Sequence, residues 1–145
     1  MADPTGAFAA EGQPDDVWFL AGTFGGKAKR SCHVPAGRPL FFPLVNICGP
    51  ALLSGGRKLV VPSAVGGADL NGVPLPAVEV HNQRPFRLKP VKGSPMSIGV
   101  FRRARAWGLW TTIDGLEPGS YFLEIRGEFE PGGFWVAVDY SLTVG

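Results

Sequence analysis

The chain has 145 residues, 45% of them hydrophobic and 18% charged, with a formal net charge of +2. That length suits one domain around one core, the apolar share excludes disorder, and the near-neutral charge excludes a field strong enough to recruit nucleic acid or an anionic membrane by itself. No apolar run reaches the length at which a helix crosses a bilayer, so no membrane span is expected.

Residues 1–145 read as a single β-sandwich domain, with 1–15 as an irregular N-terminal arm. Helical periodicity is confined to two short candidates, around 7–13 and 50–54, each closed quickly by Gly or Pro. Residues 17–24 form an almost wholly apolar segment, expected as a strand covered on both faces or one whose outer face meets a partner. Residues 29–34 alternate, and Pro35-Ala36-Gly37 reads as a three-residue hairpin loop leading into a strand at 40–45. Pro43 has no N–H to give a ladder, so it marks an edge, a bulge or a change of sheet.

Another strand is expected at 58–64, and Asn71-Gly72 is the strongest hairpin signal, supplying both positive-φ positions of a type I′ turn. Residues 78–82 alternate, sending Val78 and Val80 to one face and Glu79 and His81 to the other. Strands are also expected at 86–88 and 97–101. The turn at 116–120 feeds a strand at 121–126, and Pro131-Gly132-Gly133 turns into the last strand. There Phe134, Val136, Val138, Tyr140, Leu142 and Val144 share one face, opposite Trp135, Ala137, Asp139, Ser141 and Thr143. Many short strands joined by tight turns predict an all-β, antiparallel two-sheet sandwich of jelly-roll type, a small barrel being the alternative.

Catalytic signatures are sparse. No G-x-S-x-G elbow exists, and Cys32 and His33, adjacent on a strand, point to opposite faces and cannot pair. An enzyme reading therefore rests on His81 with Glu79 or Asp114 in a pocket between the sheets or in a barrel mouth. The histidines and thiols lack H-x-H or C-x-x-C spacing, so neither a metal nor another cofactor is implied. Arg102, Arg103 and Arg105 beside Trp107 and Trp110 suit a polyanion, but no second basic cluster supports nucleic acid. Trp107, Trp110 and Trp135 with Asn82, Gln83, Arg103 and Arg105 suit a carbohydrate or small-molecule ligand, since flat aromatic faces with polar neighbours are what such a site needs. Exposed apolar positions in 17–24 would favour a homo-oligomer. Cys32 and Cys48 are compatible with a disulfide only if the chain bends at Pro43, since an extended strand holds them too far apart.

Three stretches are similar as a set to a group of uncharacterised bacterial proteins, usually exported: VWFLAGTFGG at 17–26, C-x-VPAG-x-x-LFFP-x-x-N at 32–46, and the L-x-PG turn at 116–119 with its following strand pair. The resemblance covers most of the chain. It implies a β-sandwich in a secreted or periplasmic setting and carries no catalytic role. The segment starting at Met1 has no leader of its own, so that setting implies one ahead of this stretch, the alternative being a cytoplasmic protein. The expected function is a module that binds a ligand or serves a structural, self-associating role.

Overall fold

Alternation of apolar and polar side chains along nearly every segment builds two layers. The computed structural model describes residues 3–50, 63–87, 104–130 and 133–145. Among them lie nine strands: β1 (Trp18–Phe19), β2 (Gly26–Val34), β3 (Leu40–Pro50), β4 (Ser63–Leu70), β5 (Val73–Leu75), β6 (Val78–Phe86), β7 (Ala104–Ile113), β8 (Gly119–Glu130) and β9 (Phe134–Val144). They form a four-stranded sheet ordered β1-β3-β7-β6 and a five-stranded sheet ordered β2-β9-β8-β4-β5. The two pack face to face, and neither closes into a barrel. Helix is absent from the described residues; 7–13 forms turns instead. The strand expected at 97–101, residues 58–62 of the one expected at 58–64, and residues 51–54 of the helical candidate at 50–54 lie outside the described residues; Pro50 ends β3, and Ser63 and Ala64 begin β4.

Strand β9 follows the period-two reading. Val136, Val138, Tyr140, Leu142 and Val144 are buried in the core, while Trp135, Ser141 and Thr143 face solvent. A one-residue slip would bring each of those core side chains to water, at about 1.5–3 kcal/mol apiece. The Asn71-Gly72 turn also forms as read, with φ of 50° and 80°, closing β4 onto β5.

Three features differ from expectation. First, the sheets are mixed: β1 runs parallel to β3, and β2 parallel to β9, where a fully wrapped jelly roll would be antiparallel throughout. Second, the loop at 35–37 closes no hairpin. Gly37 does adopt a positive φ of 74°, but the chain crosses there from the five-stranded sheet to the four-stranded one. Val34 and Leu40, both fully buried, contribute to the one core from opposite layers. Third, only Trp18 and Phe19 of 17–24 are strand. The carbonyls of Ala21 and Gly22 accept instead from the buried Arg30 guanidinium, at 2.6 and 3.0 Å, and Tyr140 Oη also donates to Ala21 O. Arg30 Nε donates to Asp3 O, and Ser31 N to Thr5 O, which ties the N-terminal arm down to β2.

Pro43 marks a bulge, the register of β3 against β7 slipping between Pro43 and Val45. The extra residue, Leu44, is buried and brings β3 very close to the five-stranded sheet. Glycines alone fit opposite it: a Cβ on Gly127 of β8 would collide with the Leu44 carbonyl, and one on Gly66 of β4 would lie 3.0 Å from Leu44 Cβ. Gly66 and Gly127 are register partners, so the close approach spans two strands.

Candidate functional site

Hollows lie on the outer faces of both sheets, and another, of about 370 Å³, lies between the N-terminal arm and Leu20, Ala21, Arg30 and Tyr140. On the four-stranded sheet the register rows Phe19–Phe41–Thr112, Pro43–Trp110–Val78, Asn46–Gly108–Val80 and Cys48–Ala106–Asn82 turn outward. Phe41 stacks flat on Trp110, ring centroids 4.7 Å apart and planes 2° from parallel, and Phe19 meets Phe41 edge-on at 5.6 Å. A hollow of about 250 Å³ is lined by Phe41, Val80, Asn82, Phe86, Ala106, Trp107 and Trp110. It thus gathers Trp107, Trp110 and Asn82 from the residues expected to bind a ligand. Trp107, however, is buried, tilted against Phe129, and donates its indole N–H to Glu79 Oε1 at 2.7 Å, so its ring face is unavailable for stacking.

Val78 and Val80 share a face as expected, but that face is the outside, and Glu79 and His81 sit in register with Leu109 and Trp107 on the inner side. Glu79 is exposed there because β6 is an edge strand, and its carboxylate holds the Trp107 indole. The hollows on both faces are lined by neither Glu79 nor His81. Asp114 lies in the exposed segment after β7. Arg105 is half-buried, Arg102 and Arg103 fall outside the described residues, and so does the Gln83 side chain.

Trp135 lies on the other face. It is 50% exposed on β9, in register with Glu128 of β8. A groove of about 600 Å³ runs beside it, lined by Val65, Gly66, Gly67, Arg126, Gly127, Glu128, Trp135, Val136 and Ala137. Its floor is backbone and small side chains, because β4 and β8 contribute glycines and β9 contributes Ala137. A Cβ built on Gly67 meets nothing within 4 Å, so the space above that residue is open.

Ion pairs join the polar wall. Arg126 Nη2 lies 2.7 Å from Asp139 Oδ1 and 3.2 Å from Glu124 Oε1, while Arg126 Nη1 donates to Ile125 O at 2.8 Å. Lys27 Nζ stands 3.9 Å from the other Asp139 oxygen. Glu128 has no ion pair among the described residues. Further along the same face, Lys29, Ser31, Phe122, Asp139 and Ser141 line a second hollow of about 450 Å³.

Comparison with protein-family models, curated proteins and solved structures yields no match. The residues themselves must carry the argument. Among the described residues no three His, Cys, Asp or Glu side chains converge on a common point, and no helix is long and apolar enough to cross a membrane. Both cysteines are thiols on opposite sheets, Cys32 inside on β2 and Cys48 on β3. Burial pushes Cys32 up to about 11, assisted by the Asp3 charge, and burial also raises Cys48, which leaves both poor nucleophiles at neutral pH.

Proposed function

We propose that the outer face of the five-stranded sheet binds a carbohydrate, with Trp135 as the stacking platform. One observation carries this reading: a half-exposed indole borders an open groove whose floor is glycine and alanine and whose wall holds Arg126 and Glu128. Pyranose rings present an apolar face suited to an aromatic plane and a rim of hydroxyls that need donors and acceptors. Paired with Asp139 and Glu124, Arg126 presents a cationic edge to hydroxyl oxygens, and Glu128 supplies an acceptor. Phe122 offers a second aromatic surface further along the face, which suits an oligosaccharide over a single sugar. The face across the core is poorer in polar partners. The motif resemblance supports an exported setting, where such polymers are met.

Screening immobilised oligosaccharides, followed by titration while tryptophan fluorescence is recorded, tests the reading. A bound glycan should shift the emission, and Trp135→Ala should abolish both shift and binding while the melting temperature stays put. Gly67→Leu should block the groove in the same way. A glycan retained equally by both variants would refute the assignment of this face.

A further inference from the structure

We infer that the outer face of the four-stranded sheet is a homodimer interface, in which a second copy packs the same face against it about a two-fold axis. Every outward position in these four register rows is uncharged: Phe19, Phe41, Pro43, Trp110, Val78 and Val80 are the large ones, with Asn46, Asn82, Thr112, Cys48, Ala106 and Gly108 between them, and the exposed Arg84 follows Asn82 on β6 beyond them. Phe19, Val78 and Val80 are 44%, 54% and 42% exposed. The opposite face also exposes Val65, Phe122 and Trp135, but sets Lys27, Lys29, Glu124, Arg126, Glu128 and Glu130 among them.

Charge selects the occupant. A charged group brought onto the centre of this face by an unrelated partner would lose its hydration without gaining an ion pair, whereas a second copy brings four uncharged rows with nothing there to desolvate. Self-complementarity of one patch is what a two-fold interface requires. Size agrees. Four strands, with β1 contributing only Phe19, and the eight-residue stretch of β3 from Phe41 to Cys48 give a footprint of at most about 19 by 23 Å, and doubling it, with side-chain relief, approaches the roughly 1,000 Å² at which specific interfaces begin. A dimer of that size is weak and reversible, with dissociation in the micromolar range.

This inference does not depend on the carbohydrate reading, but it extends it: joining the four-stranded sheets leaves the two Trp135 grooves on opposite outsides, about 30 Å apart across three sheet-to-sheet spacings.

Sedimentation equilibrium without any ligand, from about 1 µM to about 500 µM, brackets the expected constant. The mass should rise from 15.4 kDa towards twice that value. Val78→Lys with Val80→Lys should hold the protein at the monomer mass across the range with an unchanged melting temperature, and Phe19→Asp, on a different strand, should do the same. Val65→Lys, on the opposite face, should dimerise like the parent. A parent that stays monomeric at the highest concentration overturns the interface, as does a dimer that survives the Val78 and Val80 changes or is lost with Val65→Lys. Glycan binding by a monomeric parent would leave the Trp135 groove standing while removing the dimer.

Discussion

Trp110 and Trp135 occupy the two outsides of one sandwich in different surroundings. Trp110 lies flat on Phe41, itself met by Phe19, in a field without charge; Trp135 stands half-exposed beside Glu128 over a glycine floor. The difference teaches that an outward aromatic is read by its neighbours. Rings packed on rings support the proposed interface, and a ring that borders space and paired polar groups supports the proposed ligand site.

The largest effect should come where the two layers nearly touch. Gly127→Val would drive a side chain into the Leu44 carbonyl, separating β3 from β8, and should cost about 3 kcal/mol or prevent folding, read as a drop in the urea midpoint. It would disturb both faces at once. A neutral outcome would show that the layers are independent at this point.

The interior between the faces has its own signature in pH. Burial raises Cys32 from 9.0 to about 11 and moves Tyr140 in the same direction. The unfolded chain then releases these protons first, so stability is fully present below pH 9 and is lost as pH climbs from 9 towards 11. Cys32 should account for about 2–3 kcal/mol of that loss, and Cys32→Ala should flatten the slope in urea titrations run at successive pH values.

Trp110→Ala should be milder, about 2 kcal/mol, because it removes a half-buried ring and its stack on Phe41. Trp135→Ala should be the smallest, within about 0.5 kcal/mol, since the side chain is half in solvent. Equal losses at the two tryptophans, measured side by side by chemical denaturation, would erase the distinction between the faces.

Much of the architecture is legible in the residues. Strict alternation in β9 and the Asn71-Gly72 turn specify register and hairpin locally, and the structure keeps both. Alternation at 78–82 shows which side chains travel together but is silent on which side is inside, so Val78 and Val80 end up in solvent on an edge strand. The 35–37 turn is read correctly in its Gly37 conformation and wrongly in what it joins, because a left-handed residue serves a hairpin and a crossing between layers equally well. The shortening of β1 has no local signal at all; it follows from Arg30 capturing the Ala21 and Gly22 carbonyls. At the groove, Trp135 is identifiable by its place opposite the apolar face of β9. Gly67, Arg126 and Glu128 are not, since only the pairing of β4 with β8 and of β8 with β9 collects them.

The parallel pairing of β2 with β9 has a kinetic consequence. Gly26 meets Val136 and Arg30 meets Tyr140, partners 110 residues apart, and β9 is also the neighbour on which β8 depends. During synthesis β2 therefore emerges long before its mate exists, and the five-stranded layer cannot be completed until residues 134–144 have left the ribosome, whereas the strands of the four-stranded layer are all present once Ile113 is out. Such remote contacts predict slow refolding, on the millisecond-to-second scale, and a nascent chain that carries an exposed strand edge for most of its translation.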